Sequence, residues 1–329
     1  MLTHKERLQA CIHDDTALDR PPVALWRHFP VDDQAPDSLA AATLEFQDRY
    51  DFDLVKVTPA SSFCLKGWGA VDTWEGSTEG TRRYTKHLIE NPRDWERLRP
   101  LDPHKDPYLN GQLTCLQRIR ETLDPETPVL QTIFSPLAQA KNLSGEQLLM
   151  AHLRLHPEAV LKALETITQT TRLFVLACVD LHIEGVFYAI QQAQADLLTL
   201  SEYETFGSPF DLRILQETSS LWCNMLHLHG INIYPQLMAK YPCQIVNWHD
   251  RETAPSLSEA RQAFPGILCG GISQNSMVFD TPERLQEQSL DACEQTGGKK
   301  FILGTGCVVP IIAPHGNLIA VRKSVEGRA

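Results

Sequence analysis

The chain predicts an α/β fold: a (β/α)₈ barrel with an extra N-terminal helix and an insertion after the second strand. Three observations lead there. Short, nearly continuous apolar runs recur about eight times along the 329 residues. Helix-period stripes separate most of them. Hydrophobic residues make up 43% of the chain and charged residues 22%, enough apolar mass for one large core. A closed parallel barrel needs eight strands, and barrels of roughly 250 residues or more fold as one domain. The whole chain, 1–329, is therefore expected to be one domain.

In chain order the runs are Pro22–His28, Asp53–Pro59, Pro128–Phe134, Glu184–Ile190, Trp222–His229, Cys243–His249, Gly266–Ile272 and Lys300–Gly306. Their continuous apolar character suits strands buried on both faces. Ahead of the first run, Met1 to about Ala17 reads as a helix, opened by a capping box of Thr3 and Glu6. The segment Ala60–Thr127 is too long for a simple connection. Within it, Val71–Glu75 and Arg82–Leu88 flank the turn-rich Gly76-Ser77-Thr78-Glu79-Gly80, which predicts a hairpin. After a second barrel strand such an insertion lies over the mouth, as a lid or as a structural elaboration. From His156 to Val179, apolar residues recur at Val160, Leu164, Ile167, Phe174, Val175 and Cys178, the stripe of a core-facing helix. Thr281-Pro282-Glu283 opens a last helix, and Gly297-Gly298 stops it before the final strand.

The formal net charge of −11 excludes phosphate backbones and anionic lipid as natural partners. No apolar run approaches the ~20 residues of a membrane helix, and the first residues lack a signal-peptide core. Nine cysteines, an odd number, are scattered without a Cys-x-x-Cys pair. Reduced thiols and a cytoplasmic location are expected.

Barrel enzymes carry their chemistry at the C-terminal ends of the strands. Those ends here offer Arg27, His28, Lys56, Ser135, Tyr188, Gln191, His227, His229, His249, Asp250, Ser273 and Cys307. His227-Leu228-His229-Gly230 is the most informative segment. Residues i and i+2 of a strand share a face, so both imidazoles point toward one spot at the mouth. Cys307 follows the last strand, on the same rim. Two neutral imidazoles and a thiolate with an open fourth position compose a catalytic zinc site. The same two histidines also suit plain hydrogen bonding in a polar mouth. His249 reads as a fourth ligand, an acid/base, a partner of a ligand or a structural histidine. Arg27 and Lys56 suit the anionic end of a substrate, or an acidic neighbour. Tyr188, Gln191 and His28 are expected to line the pocket. Cys269 reads as core, and Gly270-Gly271 as a place where substrate approaches the backbone.

A set of segments resembles the uroporphyrinogen decarboxylase superfamily over nearly the whole length. They are Asp19-Arg20-Pro21-Pro22-Val23, Tyr50-Asp51-Phe52-Asp53, Phe134-Ser135-Pro136, Gly270-Gly271-Ile272 and Phe301-Ile302-Leu303-Gly304-Thr305-Gly306-Cys307, followed by Pro310, Pro314 and Asn317. The resemblance implies a (β/α)₈ barrel. True decarboxylases carry an Arg-Gln-Ala-Gly-Arg loop after the first strand. Here Trp26-Arg27-His28-Phe29-Pro30-Val31-Asp32-Asp33 retains only the first arginine. No acid stands near Pro59-Ala60-Ser61, where decarboxylases grip the pyrroles, and Thr305 replaces their late histidine. An octacarboxylate needs cationic clamps and a pyrrole relay needs the acid.

The corrinoid-dependent methyltransferase branch is similar in another way. It carries His-x-Cys-Gly after a middle strand and Gly-Cys after the last, binding zinc. His227-Leu228-His229-Gly230 and Gly306-Cys307 follow that layout, with His229 in place of cysteine. This resemblance implies zinc on His227, His229 and Cys307, and methyl transfer between a corrinoid, carried on a partner protein, and a small substrate. His249 would orient or protonate the substrate, with Arg27 and Tyr188 beside it and Lys56, Gln191 and His28 binding it. A homodimer is compatible with this reading. The alternatives are a uroporphyrinogen decarboxylase-type carboxy-lyase of porphyrin synthesis and a non-catalytic barrel that binds a corrinoid or tetrapyrrole.

Overall fold

A computed structural model describes residues 2–13 and 18–327. Ten strands occur among them: β1 (Val23–Ala24), β2 (Val55–Val57), β3 (Val71–Thr73), β4 (Arg83–Lys86), β5 (Val129–Phe134), β6 (Gly185–Ile190), β7 (Met225–Leu228), β8 (Ile245–Trp248), β9 (Ile267–Ile272) and β10 (Phe301–Thr305). Eight of them form one all-parallel sheet in the order β1-β10-β9-β8-β7-β6-β5-β2. Each lies inside one of the eight predicted runs. The fold is an α/β (β/α)₈ barrel, nearly closed.

Closure differs in detail from a continuous ladder. The short β1 and β2 share no ladder. Asp53 supplies the join: its backbone N–H donates to Val23 O at 2.8 Å, and its carboxylate accepts from Val23 N–H at 2.7 Å. That carboxylate is fully buried. Arg7 and Arg20 each approach it at 2.7 Å and His4 at 2.9 Å. Burial pushes the Asp53 carboxyl up. The hydrogen bonds from His4 and Arg20 and the charges of Arg20 and Arg7 outweigh it and hold the group below the usual carboxylate range.

His4 and Arg7 belong to the extra helix, His4–His13. Its capping box is present: Thr3 N–H donates to Glu6 Oε2 at 2.8 Å, and Glu6 N–H to Thr3 Oγ1 at 3.2 Å. Residues 14–17, where the helix was expected to end, lie outside the described residues, as does Met1. The helix buries Arg7, Leu8 and Cys11 at the N-terminal end of the barrel. Cys11 Sγ donates to Phe301 O, the first residue of β10. This end is sealed, so the opposite end is left for chemistry.

The helix Pro157–Val179 buries Val160, Leu164, Ile167, Phe174, Val175 and Cys178, the stripe read from sequence. Each such side chain removed from water contributes roughly 1.5–3 kcal/mol. The last helix runs Pro282–Thr296 and stops at Gly297. β3 and β4 pair antiparallel as the predicted hairpin. Its tip is tied down. Ile311 N–H donates to Thr78 O at 2.8 Å, and Arg82 reaches Pro30 O at 2.7 Å and Asp72 at 3.0 Å. Gly80 has φ +79, and a Cβ there would stand 2.5 Å from His28 Cβ, so glycine lets the turn press onto the mouth. At the other end, Leu88 and Ile89 N–H both donate to Leu143 O. No disulfide forms among the described residues, and none of their helices is long and apolar enough to cross a membrane.

Candidate metal centre

Strand parity decides what reaches the mouth. On β7, His227 points inward and is buried. His229, two residues on, follows on the same side. β8 lies beside β7 with His227 opposite Asn247. Two residues beyond Asn247, His249 turns toward the same spot. β10 ends at Thr305, whose hydroxyl donates to the Cys307 carbonyl and shapes the turn that presents the thiol.

The four side chains converge. One ligand atom from each of His227, His229, His249 and Cys307 lies within 4.8 Å of the other three. His229 Nδ1 is the hub, 3.4 Å from His227 Nε2, 3.4 Å from His249 Nε2 and 3.7 Å from Cys307 Sγ. Nitrogen–nitrogen hydrogen bonds belong near about 3.0 Å. A tetrahedral zinc with N and S ligands has edges of about 3.4 Å (N–N) and about 3.6 Å (N–S). The three spacings from His229 Nδ1 match those edges, and the other pairs lie within 4.8 Å.

The protonation states fit as well. Burial pushes His227 well below its usual value, helped by His229 and His249. Burial lowers His229 and His249 to about 4. All three are neutral near pH 7, as metal ligation requires. Burial pushes the Cys307 thiol up to about 11, so a thiolate here needs a cation beside it. The donor set therefore fits zinc.

The centre opens on a cavity of about 380 Å³. His227, His229 and Cys307 line it, while His249 stands behind. Trp26, Phe134 and Phe187 form apolar wall, and Lys56, His28, Gln191 and Gln192 offer polar groups. The Lys56 ammonium sits 4.4 Å from the Phe187 ring centre and 3.3 Å from Thr58 Oγ1. Burial lowers its pKa to about 7, with Cys307 opposing. His28 Nδ1, Gln191 Oε1, Gln192 Oε1 and Trp26 Nε1 are buried without a partner among the described residues. Glu79, Gly80, Thr81, Arg82 and Tyr84 of the hairpin and Lys141 complete the rim. The place of the insertion over the mouth was expected from sequence; which of its residues reach the rim was not, because that depends on how the insertion folds back.

Two expected site residues are elsewhere. Arg27 does not line the cavity. It lies outside β1, its guanidinium 5.2 Å from both the Phe29 and Phe46 ring centres. Neighbouring Trp26 takes the inward place. Tyr188 also faces away, because Phe187 and Ala189 take the inward places on β6. Its hydroxyl donates to buried Asp211 at 2.7 Å, as do Tyr203 at 2.6 Å and Tyr241 at 2.8 Å. On β6 alternation sends Tyr188 outward; Arg27 lies beyond the end of β1, where Trp26 and His28 take the places in the cavity lining. Gly270 makes room for a neighbour, not a substrate: the Asp250 carboxylate occupies the space a Cβ would need, and it accepts from Gly271 N–H.

A parallel barrel with three imidazoles and a thiol at its C-terminal mouth defines a barrel of the class that keeps its chemistry on the βα loops. The particular family follows: the chain belongs to the uroporphyrinogen decarboxylase (URO-D) family, whose model matches residues 24–328. Members of this family are enzymes. Relatives named uroporphyrinogen decarboxylase from Prochlorococcus marinus and Synechococcus sp. are each 22% identical, over 67% and 64% of this chain. The matches span only 64% and 60% of those relatives' own length. Among solved structures, a methyltransferase from Methanosarcina mazei superposes with a TM-score of 0.85 at 16% identity, covering 98% of both chains. A B12-independent methionine synthase from Shewanella superposes with a TM-score of 0.57 at 12% identity, covering 93% of both. At these identities the structural likeness speaks for the fold.

Proposed function

We propose that this protein is a zinc-dependent methyltransferase that moves a methyl group between a corrinoid and a small substrate bearing an anionic group. The observation that carries the reading is the convergence of His227, His229, His249 and Cys307 at zinc-ligand spacings on the wall of a small cavity. The similar fold of a protein described as a methyltransferase supports it. The corrinoid would arrive on a partner protein, and the reduced thiols suit the cytoplasm.

His227, His229 and Cys307 would hold the ion, with His249 as a fourth donor. When bound, zinc supplies a Lewis acid that lowers the pKa of a coordinated thiol or hydroxyl. The methyl group would move as a formal cation: the carrier–carbon bond would break with its electron pair left on the carrier, the deprotonated nucleophile would supply the pair of the new bond, and its proton would go to solvent. The chain's own residues do the positioning. Among the described residues Lys56 has no carboxylate partner, which makes it the natural counter-ion for a carboxylate on the substrate. His28, Gln191 and Gln192 line the same cavity with polar atoms that have no partner among the described residues, and would receive the substrate's hydrogen-bonding groups. Trp26 and Phe187, in the same lining, would help exclude water from the bound substrate.

The test is anaerobic demethylation of methylcobalamin, followed by its visible spectrum, with small thiols and alcohols that do or do not carry a carboxylate. Turnover that needs zinc and favours the carboxylated acceptors is expected. Stepwise loss of carboxylates from uroporphyrinogen at enzymatic rates, with methylcobalamin untouched, overturns the reading in favour of a carboxy-lyase.

A further inference from the structure

His227 and Asn247 face each other across the β7–β8 ladder. His227 Nδ1 lies 2.7 Å from Asn247 Oδ1. Both residues are buried, Asn247 completely. The Asn247 amide has only one sensible orientation. Its Nδ2 lies 3.0 Å from Cys269 O on β9 and 3.0 Å from Thr305 O on β10. Both neighbours are backbone carbonyls, which only accept. The NH₂ group must therefore face them, and the amide oxygen must face His227. A flipped amide would set oxygen against two carbonyls and forfeit both bonds, leaving buried groups unsatisfied.

An oxygen at 2.7 Å requires a proton on His227 Nδ1. A neutral imidazole has one N–H, so Nε2 carries the lone pair. Nε2 is the atom that faces His229 and the ligand cluster. We infer that Asn247 is a positioning residue that fixes His227 in the Nδ1–H tautomer, so that its Nε2 lone pair is presented to the metal before any metal arrives. The inference rests on the zinc reading for its purpose, but not for its geometry.

The device spans three strands. Asn247 on β8 is pinned by carbonyls of β9 and β10 and in turn pins a ligand on β7. Thr305 O belongs to the strand end that leads to Cys307, so one amide ties the register of the His227 strand to that of the Cys307 turn. A side chain free to rotate at this place would let the imidazole choose either tautomer and turn its lone pair from the cluster.

The experiment uses full-length protein with ¹⁵N-labelled histidine. In zinc-free wild type at neutral pH, the ring-nitrogen shifts of His227, assigned by loss of its signals in His227→Gln, should report Nδ1 protonated and Nε2 bare. In Asn247→Leu the population should move toward the Nε2–H form. Zinc affinity, measured by competition with a chromophoric chelator, should fall by roughly 10–100-fold in Asn247→Leu. A merely structural asparagine would lower the melting temperature without moving the tautomer. An Nε2–H tautomer in zinc-free wild type overturns the inference, whatever becomes of the variant. So does a folded Asn247→Leu that keeps both the wild-type tautomer and the wild-type zinc affinity. If wild type shows the Nδ1–H tautomer and binds no zinc, the positioning role stands and the zinc reading falls.

Discussion

His229 Nδ1 stands 3.7 Å from Cys307 Sγ, although 78 residues separate them. Nothing in that pair is a strong hydrogen bond; its spacing is that of two ligands on one ion. The protein purified without chelator should therefore hold about one zinc per chain. His229→Ala and Cys307→Ala should lose most of it while circular dichroism stays unchanged, since both side chains are only partly buried at the mouth, Cys307 at the edge of the core. His249→Ala tests the fourth place: metal loss marks a ligand, and retention with lost turnover marks a substrate-handling role. Elemental analysis of the four proteins decides, and wild type that stays zinc-free after zinc addition rejects the centre.

Lys56 and Arg27 were equal candidates for an anionic substrate, and the structure separates them. Lys56→Gln should raise KM for a carboxylated acceptor by about 10–100-fold, the loss of one charge-assisted contact. It should change KM for an uncharged acceptor little. Arg27→Ala should leave both KM values in place and lower the melting temperature through its lost stacking on Phe29 and Phe46. Steady-state kinetics with the paired acceptors reads both.

Asp53→Asn should cost roughly 3–5 kcal/mol in urea unfolding, because Arg7 and Arg20 lose the charge that compensates their burial. The folded Asp53 carboxyl lies below its unfolded value. Its contribution is thus present above about pH 4 and lost as pH falls toward the folded value. The stability gap between wild type and Asp53→Asn should shrink in acid.

Asp211 behaves in the opposite sense. Burial raises its carboxyl to about 6, against the lowering effect of the Tyr203, Tyr188 and Tyr241 hydroxyls. A raised folded value means that stability is present below about pH 4 and lost as pH rises through about 6. Wild type should lose on the order of 3 kcal/mol relative to Asp211→Asn between pH 4 and pH 7. Unfolding both proteins across that window checks it, and parallel curves refute it.

The strands were legible because a parallel barrel buries them on both faces, which leaves unbroken apolar runs in the chain. His227 and His229 were legible through two-residue parity, and Cys307 through its place after the last strand. The same parity, applied to His249, leads back to Asn247, which sequence reading passed over. Applied on β6 and carried past the end of β1, it assigns the inward places to Phe187 and Trp26, with Tyr188 and Arg27 outside. Locating a residue near a strand end was too coarse for that distinction. The Asp53 seam was hidden for another reason: a side chain there does the work of a backbone ladder, and no periodicity records such an exchange.

The hairpin of β3 and β4 is fastened at both ends, at Thr78 and Arg82 near the tip and at Leu88 and Ile89 beyond its base. These contacts tie it to the barrel on both sides of the entrance. The stretch from Glu79 to Arg82 shapes one side of the opening, with Tyr84 and Lys141 also on the rim. That stretch contributes no ligand to the histidine–thiol cluster. Admission and chemistry are thereby written in separate parts of the chain, and a few changes in one turn would give a lineage a new diet without touching its reaction.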